Sequence, residues 1–348
     1  MSKEDIMFKT RVGIIGATGY SGMELLKILS RHSRVELTLV SSRAEKNTKI
    51  TDYFPFLDKK YDTLLFSDII LEEIKEKCDL VFFATPSGTA KDLAPKLYHL
   101  GLKIIDISGD FRLSSIEDYQ KWYQYDHPYP DLLNEVLYSL PEINRDMAEG
   151  ESFISNPGCY PTSILLPLTP ILKNISYSQP LIIDAKSGVT GAGKKVNPLY
   201  LFSEMNENFL AYKIAGTHQH IPEIEKYLSK WSGQNALINF NPHLLPLDRG
   251  ILSTIYLPGL SEKEASIGTQ SLIQAYKNEK FVKVLEKGLP KIKDVVHTNQ
   301  CHIGFQYDKR TGCLILVSVI DNLLKGASGQ AVQNMNLMLG IDEGEGLC

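Results

Sequence analysis

RVGIIGATGYSGMELLKIL, residues 11–29, packs a strand, a turn and a helix into one short stretch. Val12 to Ile15 form an apolar run that ends on glycine, while Met23, Leu25, Leu26 and Leu29 recur at helical spacing. Between them stand Gly16, Gly19 and Gly22, a GxxGxxG pattern rather than the commoner GxGxxG, because position 14 is Ile. Glycines permit a tight turn and let backbone N–H groups approach a pyrophosphate at a helix N-terminus, and Thr18 and Ser21 add hydroxyl donors. The stretch reads as the first strand–turn–helix of a dinucleotide-binding fold; a glycine turn without a ligand is the plainer alternative.

The following segments extend that reading. VELTLVSS (35–42), DLVFFAT (79–85) and LKIIDIS (102–108) are apolar runs, and TAKDLAPKLYHLG (89–101) is a helical pattern closing on glycine. Buried parallel strands read as continuous apolar runs because both faces are covered. Strands alternating with helices predict a doubly wound, Rossmann-like parallel sheet over residues 1–155. Beyond that point QPLIIDAK, NALINFNPHLLP, GILSTIYLP, CHIGFQYD and CLILVSVI are strand-like with few long helices between them. They predict a second α+β domain over 156–325 with a mixed, largely antiparallel sheet. GASGQAVQNMNLMLG predicts a helix, about 326–340, that packs back on the first domain, and the acidic tail DEGEGLC is expected to fray.

The end of the second strand bears on which dinucleotide fits. An acidic residue there would hold the ribose hydroxyls of NAD, whereas this chain has Ser41, Ser42 and Arg43. Hydroxyls and a guanidinium suit a 2′-phosphate, so NADP is the expected cofactor. The chain has 348 residues, 43% hydrophobic and 22% charged, with a formal net charge of -4, which argues against nucleic acid as a partner. No apolar stretch approaches the ~18 residues of a membrane span, and no signal peptide opens the chain. Five cysteines, at 78, 159, 301, 313 and 348, form no CxxC pair, which predicts free thiols in a reducing cytoplasm and no zinc ribbon.

SNPGCYPTSILLPL (155–168) places Cys159 just after a Pro-Gly turn and ahead of an apolar helix. There the helix dipole favours thiolate and can lower the pKa; a small buried hydrophobe is the alternative. Pro167 and Pro170 predict that the helix is short or kinked. GTHQHIPEI (216–224) offers His218 and His220, open to structural, metal-binding or acid–base roles, with no carboxylate–cysteine ligand set nearby. Lys194 and Lys195 in KSGVTGAGKK, and Arg112 in DISGDFRL, are candidate anion ligands or plain surface cations.

Taken together, VGIIGATGYSGMELLKIL, SSR, DISGDFRL, SNPGCYPT, SGVTGAGKK, GTHQHIPEI, PLDRGILSTIY and DNLLKGASGQAVQNMN, in this order, resemble the N-acetyl-γ-glutamyl-phosphate reductases of the longer type, within the aspartate-semialdehyde-dehydrogenase-like group. The resemblance spans residues 12 to about 340. It implies NADPH-dependent reduction of an acyl phosphate to a semialdehyde through a cysteine thioester, with release of inorganic phosphate, as a step of arginine biosynthesis. It implies Cys159 as nucleophile and His218 as acid–base, with His220 as the alternative or a substrate contact. Gly16, Thr18, Gly19, Tyr20, Ser21, Gly22, Ser41 and Arg43 match the NADP site, and Ser187, Gly188 and Asn322 match positions near the nicotinamide. Arg112, Lys195, Tyr212 and Arg249 match weaker positions for the substrate. Gln219 departs from the Arg expected between the histidines. A homodimer or homotetramer built through the second domain is implied, with no metal. The rival readings are the same chemistry on aspartyl phosphate or on a carrier-linked aminoadipyl or glutamyl phosphate, and a non-catalytic NADP-binding redox regulator.

Overall fold

The computed structural model describes residues 9–42, 44–194 and 196–348, so Arg43 and Lys195 lie outside the described residues. The opening stretch forms strand β1 (Thr10–Ile15) and helix α1 (Tyr20–Leu29). Six more strands join β1: β2 (Val35–Ser41), β3 (Phe66–Ser67), β4 (Leu80–Phe83), β5 (Lys103–Asp106), β6 (Leu137–Tyr138) and β7 (Phe153–Ser155). They lie in the order β3-β2-β1-β4-β5-β7-β6, every pairing parallel. The unbroken apolar character of β1 has its cause here. Val12 and Ile14 pack with Leu25 and Leu26 on one face, while Ile15 packs with Val81, Phe83 and Leu97 of helix α2 (Ala90–His99) on the other. The strand order reverses between β1 and β4, which opens a crevice at their carboxyl ends beside Gly16.

Helix α3 (Cys159–Leu172) leads into the second sheet, which holds β8 (Leu181–Gly188), β9 (Leu210–Ala211), β10 (Ile238–Leu245), β11 (Ile251–Leu257), β12 (Val282–Leu285), β13 (Cys301–Asp308) and β14 (Cys313–Ile320). Their order is β12-β13-β14-β11-β8-β10-β9; the β12–β13 and β8–β10 pairs are parallel and the other four antiparallel. The sheet is therefore mixed and largely antiparallel, as its sequence predicts. Alternate residues of β8 and β11 point inward, and Ile183 and Ile255 meet Ile164 and Leu168 of α3, Ile224 of helix α4 (His220–Ser232) and Leu272 of helix α5 (Glu262–Ala275). Among the described residues no helix is long and apolar enough to cross a membrane.

One expectation fails, and of a short or kinked α3 the short helix is excluded. Helix α3 is not short: it runs through Pro167 and Pro170 as a continuous helix of 14 residues. Pro170 cannot donate to the carbonyl of Leu166, and the hydroxyl of Tyr276 does so instead at 2.7 Å. The acidic tail is docked, not frayed. Glu343 accepts from Arg145 and Gln333, Glu345 accepts from the Ser33 hydroxyl, and Leu347 packs against the first core.

Helix α6 (Gly329–Met338) follows a π-helical turn, Leu324–Ser328, and buries Ala331, Val332 and Met335 in the same core as Val12 and Leu25. The Ser328 hydroxyl donates to the carbonyl of Ser21 in the first turn of α1, at 2.8 Å. The π-helical turn that leads into α6 thus touches the glycine turn.

Candidate active site

The glycine turn has the shape a dinucleotide needs. Gly16 has φ +89°, and a Cβ there would stand 2.6 Å from the carbonyl oxygen of Ala84. A Cβ on Gly22 would stand 2.4 Å from the carbonyl oxygen of Gly16, so helix and turn meet backbone to backbone. Gly19 caps α1, whose first N–H groups, from Tyr20 onward, have no partner within the helix. The hydroxyls of Thr18 and Ser42 lie 3.4 Å apart at the rim, Ser41 is buried beside them, and the ammonium of Lys194 sits 5.4 Å from the Tyr20 ring. This cradle fits a pyrophosphate at a helix N-terminus, and the described residues at the end of β2 bring hydroxyls and no carboxylate.

Cys159 is the first residue of α3, partly exposed, and Gly158 caps the helix in an extended conformation. The Gly158 N–H donates to the carboxylate of Glu223 at 2.8 Å, and the Tyr138 hydroxyl donates to the same oxygen at 2.8 Å. The second Glu223 oxygen faces the Arg112 guanidinium at 3.4 Å, and Glu223 is fully buried. Arg112 also donates to the carbonyls of Asn156 and Ile107, so a buried cation is fixed under the turn. A Cβ on Gly158 would stand 2.7 Å from this guanidinium and 2.8 Å from Nε2 of His220. Behind the thiol, a Cβ on Gly326 of the π-helical turn would stand 2.8 Å from Cβ of Cys159, so only glycine fits both places without displacement.

Electrostatics here differ from the dipole expectation. Burial pushes the Cys159 thiol up to about 11, against the pull of Arg112 and the N–H groups of Tyr160 and Cys159, and Glu223 adds to the rise. One helix terminus does not offset the desolvation of a thiolate. Burial also pushes His218 down to about 2, helped by His220 and Lys213, and holds His220 well below the usual imidazole range, helped by Arg112. Thiol and imidazoles are accordingly all neutral near pH 7.

The two rings have different bonds. Nδ1 of His218 accepts the His220 backbone N–H at 3.1 Å, so the neutral ring carries its proton on Nε2. Nδ1 of His220 is buried without a hydrogen-bond partner among the described residues. Tyr160, Tyr212 and Phe240 enclose His218 at ring distances of 5.2–5.8 Å, and the hydroxyls of Tyr160 and Tyr212 lie 3.1 Å apart. Cys159, His218, His220, Arg112 and Tyr212 are thereby brought together.

Ser187, Gly188 and Asn322 form a neighbouring knot. Asn322 accepts the Gly250 N–H at 2.7 Å and donates to the Thr190 hydroxyl, while the Ser187 hydroxyl donates to the carbonyl of Gly188. Arg249 is placed apart from the thiol, buried with Asp321 at 3.1 Å and with Glu24 of α1 and His297. Its guanidinium is committed to joining α1 to the second sheet. Sequence reasoning missed Glu223, Tyr138 and Asn156. Only Glu223 left a trace, standing three residues after His220 and so on the same side of α4.

Two family models match the chain: "Semialdehyde dehydrogenase, NAD binding domain" over residues 11–150 and "Semialdehyde dehydrogenase, dimerisation domain" over 159–322. Proteins named N-acetyl-gamma-glutamyl-phosphate reductase are similar along nearly the whole length. That of Thermoanaerobacter sp. (strain X514) is 46% identical and that of Halothermothrix orenii 45%, each over 97% of both chains. Among solved structures, aspartate semialdehyde dehydrogenase II from Vibrio cholerae, complexed with ASA, superposes with a TM-score of 0.73 at 16% identity, over 96% of this chain and 99% of that one. Aspartate semialdehyde dehydrogenase with NADP from Candida albicans superposes at 0.69 and 16% identity, over 95% and 98%. The structural likeness bears on the fold.

Proposed function

The chain belongs to the semialdehyde dehydrogenase family, and on that premise we propose that it carries out the reductive dephosphorylation of N-acetyl-γ-glutamyl phosphate, giving N-acetylglutamate 5-semialdehyde and inorganic phosphate, a step of arginine biosynthesis. The observation that carries the reading is the convergence on Gly158 and Cys159 of Glu223, Arg112 and His220, a thiol, a fixed cation and an imidazole at one helix N-terminus.

Cys159 is the nucleophile. Its thiol is neutral at rest, so a base must take the proton as sulfur attacks the acyl phosphate, the S–C bond forms and phosphate leaves. His220 suits this task better than His218, because its Nε2 adjoins Gly158 while the Nδ1 acceptor of His218 is already occupied. His218 instead presents Nε2–H as a donor to substrate oxygen. The N–H groups of Cys159 and Tyr160 at the start of α3 stabilise the negative charge that develops on the acyl oxygen. The proton passes from His220 to the departing phosphate, and a proton taken up from solvent reaches sulfur through His220 when the S–C bond breaks to release aldehyde. Tyr212 bounds the substrate space, and Arg112 holds positive charge under the turn.

The cofactor is NADPH, which supplies the hydride when bound. Gly16, Thr18, Gly19, Tyr20, Ser21 and Gly22 hold its pyrophosphate, Ser41 and Arg43 receive the 2′-phosphate end, and Ser187, Gly188 and Asn322 flank the nicotinamide. The lack of a carboxylate at the end of β2 supports NADP over NAD. Lys195 remains assigned to the substrate side by resemblance alone, whereas Arg249 is withdrawn from it, because Asp321, Glu24 and His297 hold its guanidinium. We assign residues 1–155 with the helix near 326–340 to cofactor binding and 156–325 to catalysis and assembly, with a homodimer or homotetramer in the cytoplasm.

Cys159→Ser is expected to bind NADPH within about twofold of the parent while phosphate-dependent NADP+ reduction with N-acetylglutamate semialdehyde falls at least ~1000-fold. His220→Asn is expected to flatten the acidic limb of the kcat/KM profile, and His218→Asn to lower kcat across all pH. Near-normal turnover by Cys159→Ser, or preference of the parent for aspartate semialdehyde, refutes the assignment.

A further inference from the structure

The proposed substrate is anionic at both ends, with a phosphate on the acyl carbon and an α-carboxylate at the far end of its chain. Few cations stand ready to meet them. Arg112 is buried and committed, donating to the carbonyls of Asn156 and Ile107 and facing Glu223 at 3.4 Å. Lys194 lies on the cofactor side, 5.4 Å from the Tyr20 ring. Lys213 is different: it follows Tyr212 directly and is exposed beside the site.

The Lys213 ammonium donates to Oε1 of Gln219 at 2.7 Å. Gln219 caps helix α4 between the two histidines, so this bond hangs the cation beside both rings. Its charge helps to hold both imidazoles below their usual range, whereas the cation that acts on the Cys159 thiol is Arg112. Lys213 therefore serves the end of the substrate remote from sulfur. Desolvation lowers its own pKa, and among the described residues no carboxylate restores it. An ammonium carries more donors than one amide oxygen can occupy, so an anion can join Gln219 on it. The backbone points the same way. Lys213 has a left-handed φ of +45°, a conformation that non-glycine residues keep mainly where function holds it.

We propose that Lys213 receives the α-carboxylate of the substrate and selects for substrates that carry one, with Gln219 as the positioning residue that aims its ammonium. A carboxylate on an ammonium is a charge-assisted contact, stronger than a neutral one. The choice of substrate rests on the catalytic reading above; the binding of unreactive acids tests the contact without turnover. The proposal also accounts for Gln219 itself, since its amide holds a cation that position 219 does not carry.

The test compares N-acetyl-L-glutamate with 4-acetamidobutyrate, the same molecule without its α-carboxylate, as ligands. It compares N-acetylglutamate semialdehyde with 4-acetamidobutanal as substrates in the phosphate-dependent direction. The parent is expected to prefer the first of each pair by about tenfold or more, in affinity and in kcat/KM. Lys213→Met is expected to erase both preferences while the KM for phosphate and the affinity for NADPH stay within about twofold of the parent. Lys213→Arg is expected to restore most of each preference, and Gln219→Leu to weaken both by about threefold. A parent that binds the two acids equally, or a Lys213→Met protein that keeps the preference, overturns the proposal. So does a Lys213→Met protein whose loss falls on the KM for phosphate, because the lysine would then serve the leaving group. Should Lys213→Met fail to fold, Lys213→Gln decides by the same readings. A parent that turns over no acyl phosphate, yet binds N-acetyl-L-glutamate through Lys213, keeps the carboxylate contact and refutes the catalytic reading instead.

Discussion

Glu223→Gln removes one negative charge from beneath Cys159 with almost no change of shape. In the parent, this carboxylate opposes the Arg112 guanidinium at 3.4 Å, both side chains nearly or fully buried. At an effective dielectric constant of about 20, unit charges at that spacing attract by about 5 kcal/mol. Removing one member of a buried pair strands the other, and such changes cost about 3–5 kcal/mol. The carboxamide oxygen can still accept from Gly158 and Tyr138, so the turn keeps its shape while its charge balance changes. Since Glu223 helps push the Cys159 thiol up, its loss leaves Arg112 free to favour thiolate, and the midpoint of iodoacetamide reactivity moves below about 11. Two assays read the outcome: denaturant unfolding, expected to show a loss of about 3–5 kcal/mol, and the pH profile of alkylation at Cys159. An unfolding midpoint equal to the parent's, or an alkylation midpoint that stays put or rises, refutes the charge balance drawn from these distances.

In the unaltered protein, alkylation of Cys159 without substrate is expected to climb through pH 8–10 with no plateau near neutrality, because thiol and imidazoles rest uncharged; a plateau at pH 6–8 would reveal a preformed thiolate–imidazolium pair. The same shift has a stability sign. A thiol held at about 11 against an ordinary value of 9.0 contributes fully below pH 9, and that contribution disappears as pH rises toward 11, which denaturation at pH 8 and pH 11 can follow with Cys159→Ala as reference. Gly16→Ala forces a side chain into a left-handed position 2.6 Å from a carbonyl oxygen; it is expected to cost about 1–2 kcal/mol from the backbone alone and at least tenfold in NADPH affinity, read by fluorescence titration.

The four neighbouring strands β2, β1, β4 and β5 of the first sheet were legible because their signals are local, whereas β3, β6 and β7, of two or three residues each, are too short to carry a pattern. Apolar runs, a glycine triplet and helical spacing each fit within one element, and burial on both faces leaves the strands no alternation to hide in. Cys159 was legible for the same reason, since Pro157 and Gly158 mark a helix start. What escaped is held by partners far along the chain. Glu223 meets Gly158 across 65 positions, and Tyr276 repairs the proline gap in α3 across 110. The acid tail looked free because its ties, to Arg145 and Ser33, lie in distant segments. The thiol's acidity depends on burial, which no spacing reveals. The choice between His218 and His220 turns on which Nδ1 a backbone N–H already occupies.

Helix α6 gives the protein a problem of timing. Its Ala331, Val332 and Met335 close the face of the first sheet that Val12, Ile14 and Leu25 begin. Synthesis reaches them roughly 170 residues after β7, a delay on the order of 10–35 s at ordinary ribosomal rates. Through that interval the nascent nucleotide-binding layer waits with one side unsealed. A truncated transcript, stopping where the sheet is complete, would yield a sticky half-fold instead of an independent unit.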